Sequence, residues 1–192
     1  CINSDGFRDE NISVKNPEGN FRTAVLGDAV TFGLGVDNNE TLPAHLERRL
    51  DYRTEMSHQT LNFGIPFMTT REEVMWFNRT GRLYEPEVVV LQYMENDAEN
   101  LTRIDQLREK YYEQLSSNMS RARRSTIASR KAIRQERRER KNMSIEEEME
   151  TVEKYLNRLD RYSEKDDFKV FVMYYATEFS RRHVSYMREA SE

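Results

Sequence analysis

Three short clusters in this 192-residue chain hold residue types able to do chemistry: Gly27-Asp28-Ala29, Gly64 and Asn96-Asp97. Each stands at or just past the end of a strand-like run. Glycine lets a backbone approach another group closely, and asparagine supplies an amide donor. A tight turn at 27–29 aims backbone N–H groups outward. Ligands of open parallel sheets bind beyond the carboxyl ends of the strands, so these positions would face a crevice. Three donors converging on one point would form an oxyanion hole, a preorganised cradle for charge developing on a carbonyl oxygen. Ordinary turns also use Gly and Asn, and on residue types alone that plainer reading stands beside the chemical one.

The elements that must position these clusters are legible as apolar runs. Thr23-Ala24-Val25-Leu26 reads as a first buried strand, Leu61-Asn62-Phe63-Gly64 as a second, Glu87 to Met94 as a third and Lys169 to Tyr175 as a fourth. The continuous apolar stretch of the third predicts burial on both faces. Leu42, Leu46 and Leu50 mark one face of a helix, and Thr70 with Glu73 suggests a capping box for a helix running to Gly81. Strands alternating with helices predict right-handed βαβ units and a parallel sheet.

Between the third and fourth strands the pattern changes. No Gly or Pro occurs from Arg103 to Asp167, so nothing interrupts helix. Arg121–Lys141 holds ten Arg or Lys against two Glu, a local +8; with a net charge of −4, the rest of the chain carries −12. Ser144 and Glu147 read as a second capping box, followed by Ile145, Met149, Val152, Leu156 and Leu159 on one stripe. Residues 103–165 are therefore expected to form a charged helical insertion within a single domain spanning 1–192. The basic run would suit an anionic surface or, more plainly, a solvated or partner-facing helix.

Composition narrows the function classes. No stretch approaches the apolar length of a membrane span, and the net charge gives no reason to expect specific nucleic-acid binding. The single cysteine, Cys1, excludes an internal disulfide framework and a cysteine-built zinc site. His45, His58 and His183 have no metal-ligand spacing, and neither metal nor cofactor is expected. Gly33-Leu34-Gly35 lacks the third glycine of a dinucleotide fingerprint. Six Asn-x-Ser/Thr triplets start at Asn11, Asn39, Asn78, Asn100, Asn118 and Asn142, more than 13 Asn and 25 Ser or Thr give by chance. They point to N-glycosylation and so to an extracellular or cell-surface location. Cys1 is either the lipidated first residue of a lipoprotein, the only route to a membrane here, or an arbitrary start.

Gly27-Asp28-Ala29-Val30-Thr31-Phe32-Gly33 resembles the first block of the SGNH (GDSL-type) hydrolases, Gly-Asp-Ser-x-Thr-x-Gly. Asn62-Phe63-Gly64 resembles the second block and Asn96-Asp97 the third, with Met94 where that block has Gly. Asn3-Ser4-Asp5-Gly6-Phe7-Arg8 is similar to a leader that precedes the first strand in many extracytoplasmic members. The resemblance implies a flavodoxin-like three-layer α/β sandwich that hydrolyses or transfers acyl esters through a serine. It implies an oxyanion hole built from residue 29, Gly64 and Asn96, with Asp28 stabilising the turn. Expected ligands are an acylated glycan or a small ester.

Two departures bear on activity. Ala29 stands at the nucleophile position, and a methyl group cannot form an acyl-enzyme. The family's Asp-x-x-His block is absent: the residue three before His183 is Ser180. The chain is therefore expected to be a catalytically inactive and C-terminally incomplete domain. An engineered Ser→Ala change, and a missing segment that lies on a partner chain or was removed by cleavage, remain the competing explanations. A different class of function is an assembly module, in which 103–165 contacts copies of itself or another chain.

Overall fold

The structure, a computed structural model, describes residues 2–98, 101–117, 119–174, 183 and 186. Four parallel strands, β1 (Asn20–Gly27), β2 (Ser57–Gly64), β3 (Val88–Tyr93) and β4 (Lys169–Tyr174), form a sheet in the order β2-β1-β3-β4. Tyr175, expected in the fourth strand, lies outside the described residues. The helices are α1 (Ala29–Phe32), α2 (Leu42–Arg53), α3 (Thr70–Arg79), α4 (Leu101–Glu113), α5 (Arg121–Arg140) and α6 (Ile145–Asp166). The chain moves one way from β1 to β2 and the other way from β2 to β3. Right-handed crossovers therefore place α2 and α3 on opposite faces of the sheet, as in a flavodoxin-like doubly wound fold. Val25, Leu26, Phe63, Val89 and Leu91 are buried between these layers.

Helix starts follow local chemistry, with one correction. The capping box of α3 is formed by Thr69 and Glu72, not by Thr70 and Glu73. Starting the helix at Thr70 turns Thr70, Glu73, Val74 and Phe77 inward together at 3-4 spacing. Glu73 is thereby committed to the buried face. The second expected box is present: Glu147 N–H donates to Ser144 Oγ at 3.2 Å and Ser144 N–H to Glu147 Oε2 at 3.0 Å. From the stripe that follows, Met149, Val152 and Leu159 are fully buried.

Edge strand β2 is closed by carboxylates. His58 N–H donates to Asp51 Oδ1 (3.0 Å), Thr60 N–H to Glu47 Oε2 (2.6 Å) and Asn62 N–H to Asp9 Oδ2 (3.0 Å). Gly64 N–H donates to Asn62 Oδ1 at 3.0 Å. Every second residue of a strand turns its N–H to the same side, so this series satisfies the outer edge and leaves it no row of open donors. Burial pushes the Asp9 and Glu47 carboxyls up, partly opposed by the backbone N–H groups they accept.

The leader docks by the same kind of accounting. Phe7 packs its ring 4.4 Å from Phe63 and also meets Trp76 and Tyr84 edge-on. Asn3 Oδ1 accepts the N–H groups of Asp5 and Phe7, which folds the turn that presents it. Arg8 Nη1 donates to Phe32 O (3.0 Å) and Gly33 O, Nη2 to Val36 O, and Nε to Asn38 Oδ1 (2.9 Å). This fork satisfies carbonyls at the end of α1. Burial, then its bond to Asp5, pushes the Tyr84 hydroxyl up to about 12, so it remains a donor to Asp5 Oδ2 at 2.7 Å.

Two compact units are present, residues 1–97 with 151–192 and residues 98–150. The stretch expected as one insertion over 103–165 thus divides within α6, whose residues from Thr151 group with the sheet. In the smaller unit Ile104 and Leu107 of α4 pack on Ala132 of α5, with Tyr111 and Ile133 beside them. Arg103 pairs with Glu139 at 2.9 Å. Arg123, Arg130, Lys131, Arg134, Arg137 and Arg138 are exposed or half-exposed along α5, while Ala128, Ala132 and Glu136 turn inward. Among the described residues, no helix is long and apolar enough to cross a membrane.

Candidate functional site

β1 and β2 end in register, with Gly27 paired to Gly64, and the turn beyond β1 immediately starts α1. Asp28 is its N-cap: Oδ1 accepts the Val30 N–H at 3.0 Å. That is the turn-stabilising role expected of Asp28. Ala29, half-buried, is the first residue of α1, and its N–H has no acceptor inside the helix. Gly64 lies directly beneath α1, since a Cβ there would stand 2.2 Å from Phe32 N. Its N–H is held by Asn62 Oδ1, so service to an oxyanion would require that bond to be shared or released. Beyond β3 the chain forms a 3-10 turn, Glu95–Ala98, in which Asp97 Oδ2 accepts the Met94 N–H at 2.7 Å. The Asn96 side chain lies outside the described part of the structure. Residues 27–29, 64 and the 95–97 turn therefore all stand at the carboxyl ends of β1, β2 and β3.

Glu73, which the sequence offers only as a cap partner for Thr70, belongs to this site instead. Its carboxyl is 1% exposed and neither oxygen has a hydrogen-bond partner among the described residues. Burial first, then the Asp97, Asp28 and Glu72 carboxylates, hold its pKa well above the ordinary carboxylate range. Two of these neighbours belong to the turns after β1 and β3, so Glu73 brings α3 up to the site. A group whose folded pKa is raised stabilises the fold fully below its unfolded value, near 4.5. That contribution fades as pH climbs through the folded value. Glu73→Gln keeps the shape without the titration. Its stability is expected to fall less than the parent's as pH rises from 4.5 into the alkaline range. Denaturant midpoints measured across pH check this, and parallel curves would refute it. Asp9 and Glu47 titrate in both proteins and cancel in the comparison. The sequence does carry a signal for Glu73: a carboxylate in register with Thr70, Val74 and Phe77.

The other expected residues fall in several places. His183 is buried, its Nδ1 2.9 Å from the Tyr93 hydroxyl. His58 bonds Thr54 and stacks edge-on with Phe21, while His45 meets Arg48. None of these contacts reaches Ala29. Asn11, Asn39, Asn78 and Asn142 are exposed; Asn100, Asn118 and Cys1 lie outside the described residues. Among the described residues no group of three or more His, Cys, Asp or Glu side chains is arranged to hold a metal ion. A cavity of 470 Å³ opens beside β2, lined by Arg8, Asp9, Glu47, Arg48, His58 and Thr60 rather than by the strand-end residues.

No protein-family model matches the chain, and no curated protein does. Solved structures of similar fold include AlinE4, an SGNH-hydrolase family esterase, at 18% identity and a TM-score of 0.40, covering 81% of this chain and 77% of that one. TesA is similar at 14% identity and a TM-score of 0.38, over 78% of this chain and 76% of its own. A point mutant of Axe2, an acetyl-xylooligosaccharide esterase from Geobacillus Stearmophilus, follows at 15% identity and a TM-score of 0.39, covering 78% and 74%. At these identities and TM-scores the likeness carries no chemistry, which has to be argued from the chain's own residues: by its own topology this is an α/β chain with a parallel sheet, and the solved structures it is similar to include SGNH-hydrolase esterases.

Proposed function

We propose that the cleft at the carboxyl ends of β1, β2 and β3 is an acyl-ester site that binds its ligand without cleaving it, in a glycosylated extracellular protein. The observation that carries this reading is Ala29. It stands half-buried at the head of α1, next to the Asp28 cap, where a methyl group replaces the hydroxyl that would attack an ester carbonyl. A serine there would attack, the N–H groups of residues 29 and 64 with the Asn96 amide would hold the oxyanion, and Asp28 would keep the turn. With Ala29 the same pocket retains recognition and lacks the bond-forming step. The exposed Asn11, Asn39, Asn78 and Asn142 are accessible to a glycosylation machinery.

The test is Ala29→Ser in the full-length protein, with p-nitrophenyl acetate as substrate. The parent is expected to show no turnover above buffer. The serine variant is expected to gain on the order of 10²–10³-fold over buffer, short of a complete triad because none of the described histidine contacts reaches residue 29. A serine variant that neither turns over nor becomes acylated would overturn the acyl-site reading.

A further inference from the structure

On edge strand β2, residues 58, 60 and 62 turn their side chains to one face, and each leaves a polar atom unmatched. His58 Nδ1, Thr60 Oγ1 and Asn62 Nδ2 are shielded from bulk solvent and have no hydrogen-bond partner among the described residues. Thr60 and Asn62 are only 5% and 3% exposed. A buried polar atom without a partner costs about 1–3 kcal/mol, so three in one row call for a physical reason. The other polar atoms of His58 and Asn62 are already engaged. His58 Nε2 lies 2.6 Å from Thr54 Oγ1, and Asn62 Oδ1 accepts the Gly64 N–H.

The 470 Å³ cavity beside β2 supplies that reason. His58, Thr60 and Asn62 all line it, and its size falls within the roughly 300–1,000 Å³ of small-molecule sites. Asp9 and Glu47 line it too, each accepting an N–H of β2. Glu47 does so through Oε2, which leaves Oε1 as an acceptor for a ligand. Pro43 and Ala44 add a small apolar wall. The guanidinium groups of Arg8 and Arg48 donate to backbone carbonyls and do not call for an anion. What remains open is an amide donor, a carboxylate acceptor and a hydroxyl that can do either. An anion would be repelled by Asp9 and Glu47, and an ammonium would leave Asn62 Nδ2 without an acceptor. Hydroxyl groups donate and accept at once, and a pyranose ring also has C–H edges to lay on the apolar wall. Residues 27–29 and 95–97 are not part of the lining, so this cavity is separate from the strand-end site.

We propose that this cavity is a binding site for a neutral polyol, one pyranose unit in size, held by Glu47, Thr60 and Asn62. The site is independent of Ala29 and of any ester chemistry, so it stands or falls separately from the acyl-site reading. D-glucose, gluconate, glucosamine and cyclohexanol are titrated into the full-length protein, with binding followed by NMR and stability by thermal melting. Glucose is expected to bind with a Kd on the order of 1 mM and to shift the amide signals of residues 58–62. Gluconate, which is anionic, and cyclohexanol, which has one hydroxyl, should bind at least tenfold more weakly. Glu47→Gln keeps an acceptor for the Thr60 N–H and removes the charge, and should weaken glucose about tenfold. Thr60→Val keeps the shape and removes the unmatched hydroxyl. It is expected to weaken glucose to a similar degree while raising Tm of the unliganded protein by about 2–4 °C. A hydroxyl with a purely structural role would move Tm the other way and leave glucose binding alone. The proposal is overturned if glucose does not bind, or if it binds Thr60→Val and Glu47→Gln as it binds the parent. Glucosamine binding more than tenfold tighter than glucose would also overturn it, by making the cavity an ammonium site.

Discussion

Replacing Arg22 by Met is expected to destabilise the protein by about 3–5 kcal/mol, measured by denaturant unfolding. Arg22 is 0% exposed at the start of β1. Its guanidinium donates to Ser13 O (2.7 Å), Val14 O (2.9 Å), Tyr84 O (2.8 Å) and Gln59 Oε1 (2.8 Å). Burial draws its pKa down, while the neighbouring Glu87, Glu85 and Tyr84 draw it up. Methionine fills much of the volume and leaves those oxygens without their donor, so the cost is chiefly that of buried, unmatched acceptors. Lysine restores a charge but not the planar fork, and Arg22→Lys should recover only part of the loss. Ser13 and Val14 are tied to the sheet through this one group, so amide exchange there should accelerate in both variants. An Arg22→Met protein within about 1 kcal/mol of the parent would be inconsistent with the network.

The resulting division between what is legible in the sequence and what is not has a physical basis. Strands β1 to β4 announce themselves as apolar runs because each is paired or packed within one sheet, whereas their order β2-β1-β3-β4 is fixed only by the pairing in the structure. Gly27 and Gly64 are legible because close backbone approach demands glycine and leaves a mark in the sequence. Glu73 is misread as a cap partner because Thr69 and Thr70 are both competent caps and Glu72 and Glu73 both competent partners. Only the inward phase of Val74 and Phe77 decides between them. The carboxylates on β2 are not legible at all, since Asp9, Glu47 and Asp51 come from two distant segments. Phe67, third in the Ile65–Met68 turn at φ +71°, is hidden for the opposite reason: a local turn signal, Pro66, is present, but the residue after it is not the glycine that the signal implies. The burial of Arg22 is not legible either, because the acceptors that allow it belong to residues 13–15, 59 and 84.

These contrasts make Gly64 the sharper probe of how the fold builds the site. Gly64→Ala is expected to cost about 3 kcal/mol, the upper end of overpacking penalties. The added Cβ would stand 2.2 Å from Phe32 N, 2.6 Å from Thr31 C and 2.8 Å from Phe32 Cα. All three are backbone atoms of α1, so no side-chain rotation relieves the clash and the helix itself must move. Gly27→Ala offers the control. There the nearest atoms are Thr31 Oγ1 at 2.2 Å, Thr31 Cβ at 2.8 Å and Gln92 Oε1 at 2.9 Å, all in side chains. Thr31→Ala, which removes the first of these, should recover part of the Gly27→Ala loss and none of the Gly64→Ala loss. Because α1 carries residue 29 at its head, the displacement reaches the site directly. In an Ala29→Ser background Gly64→Ala should abolish any gained turnover even where the protein remains folded. Rescue of Gly64→Ala by Thr31→Ala, read as a coupling energy in a double-mutant cycle, would show that α1 is not the rigid contact and that the site is positioned some other way.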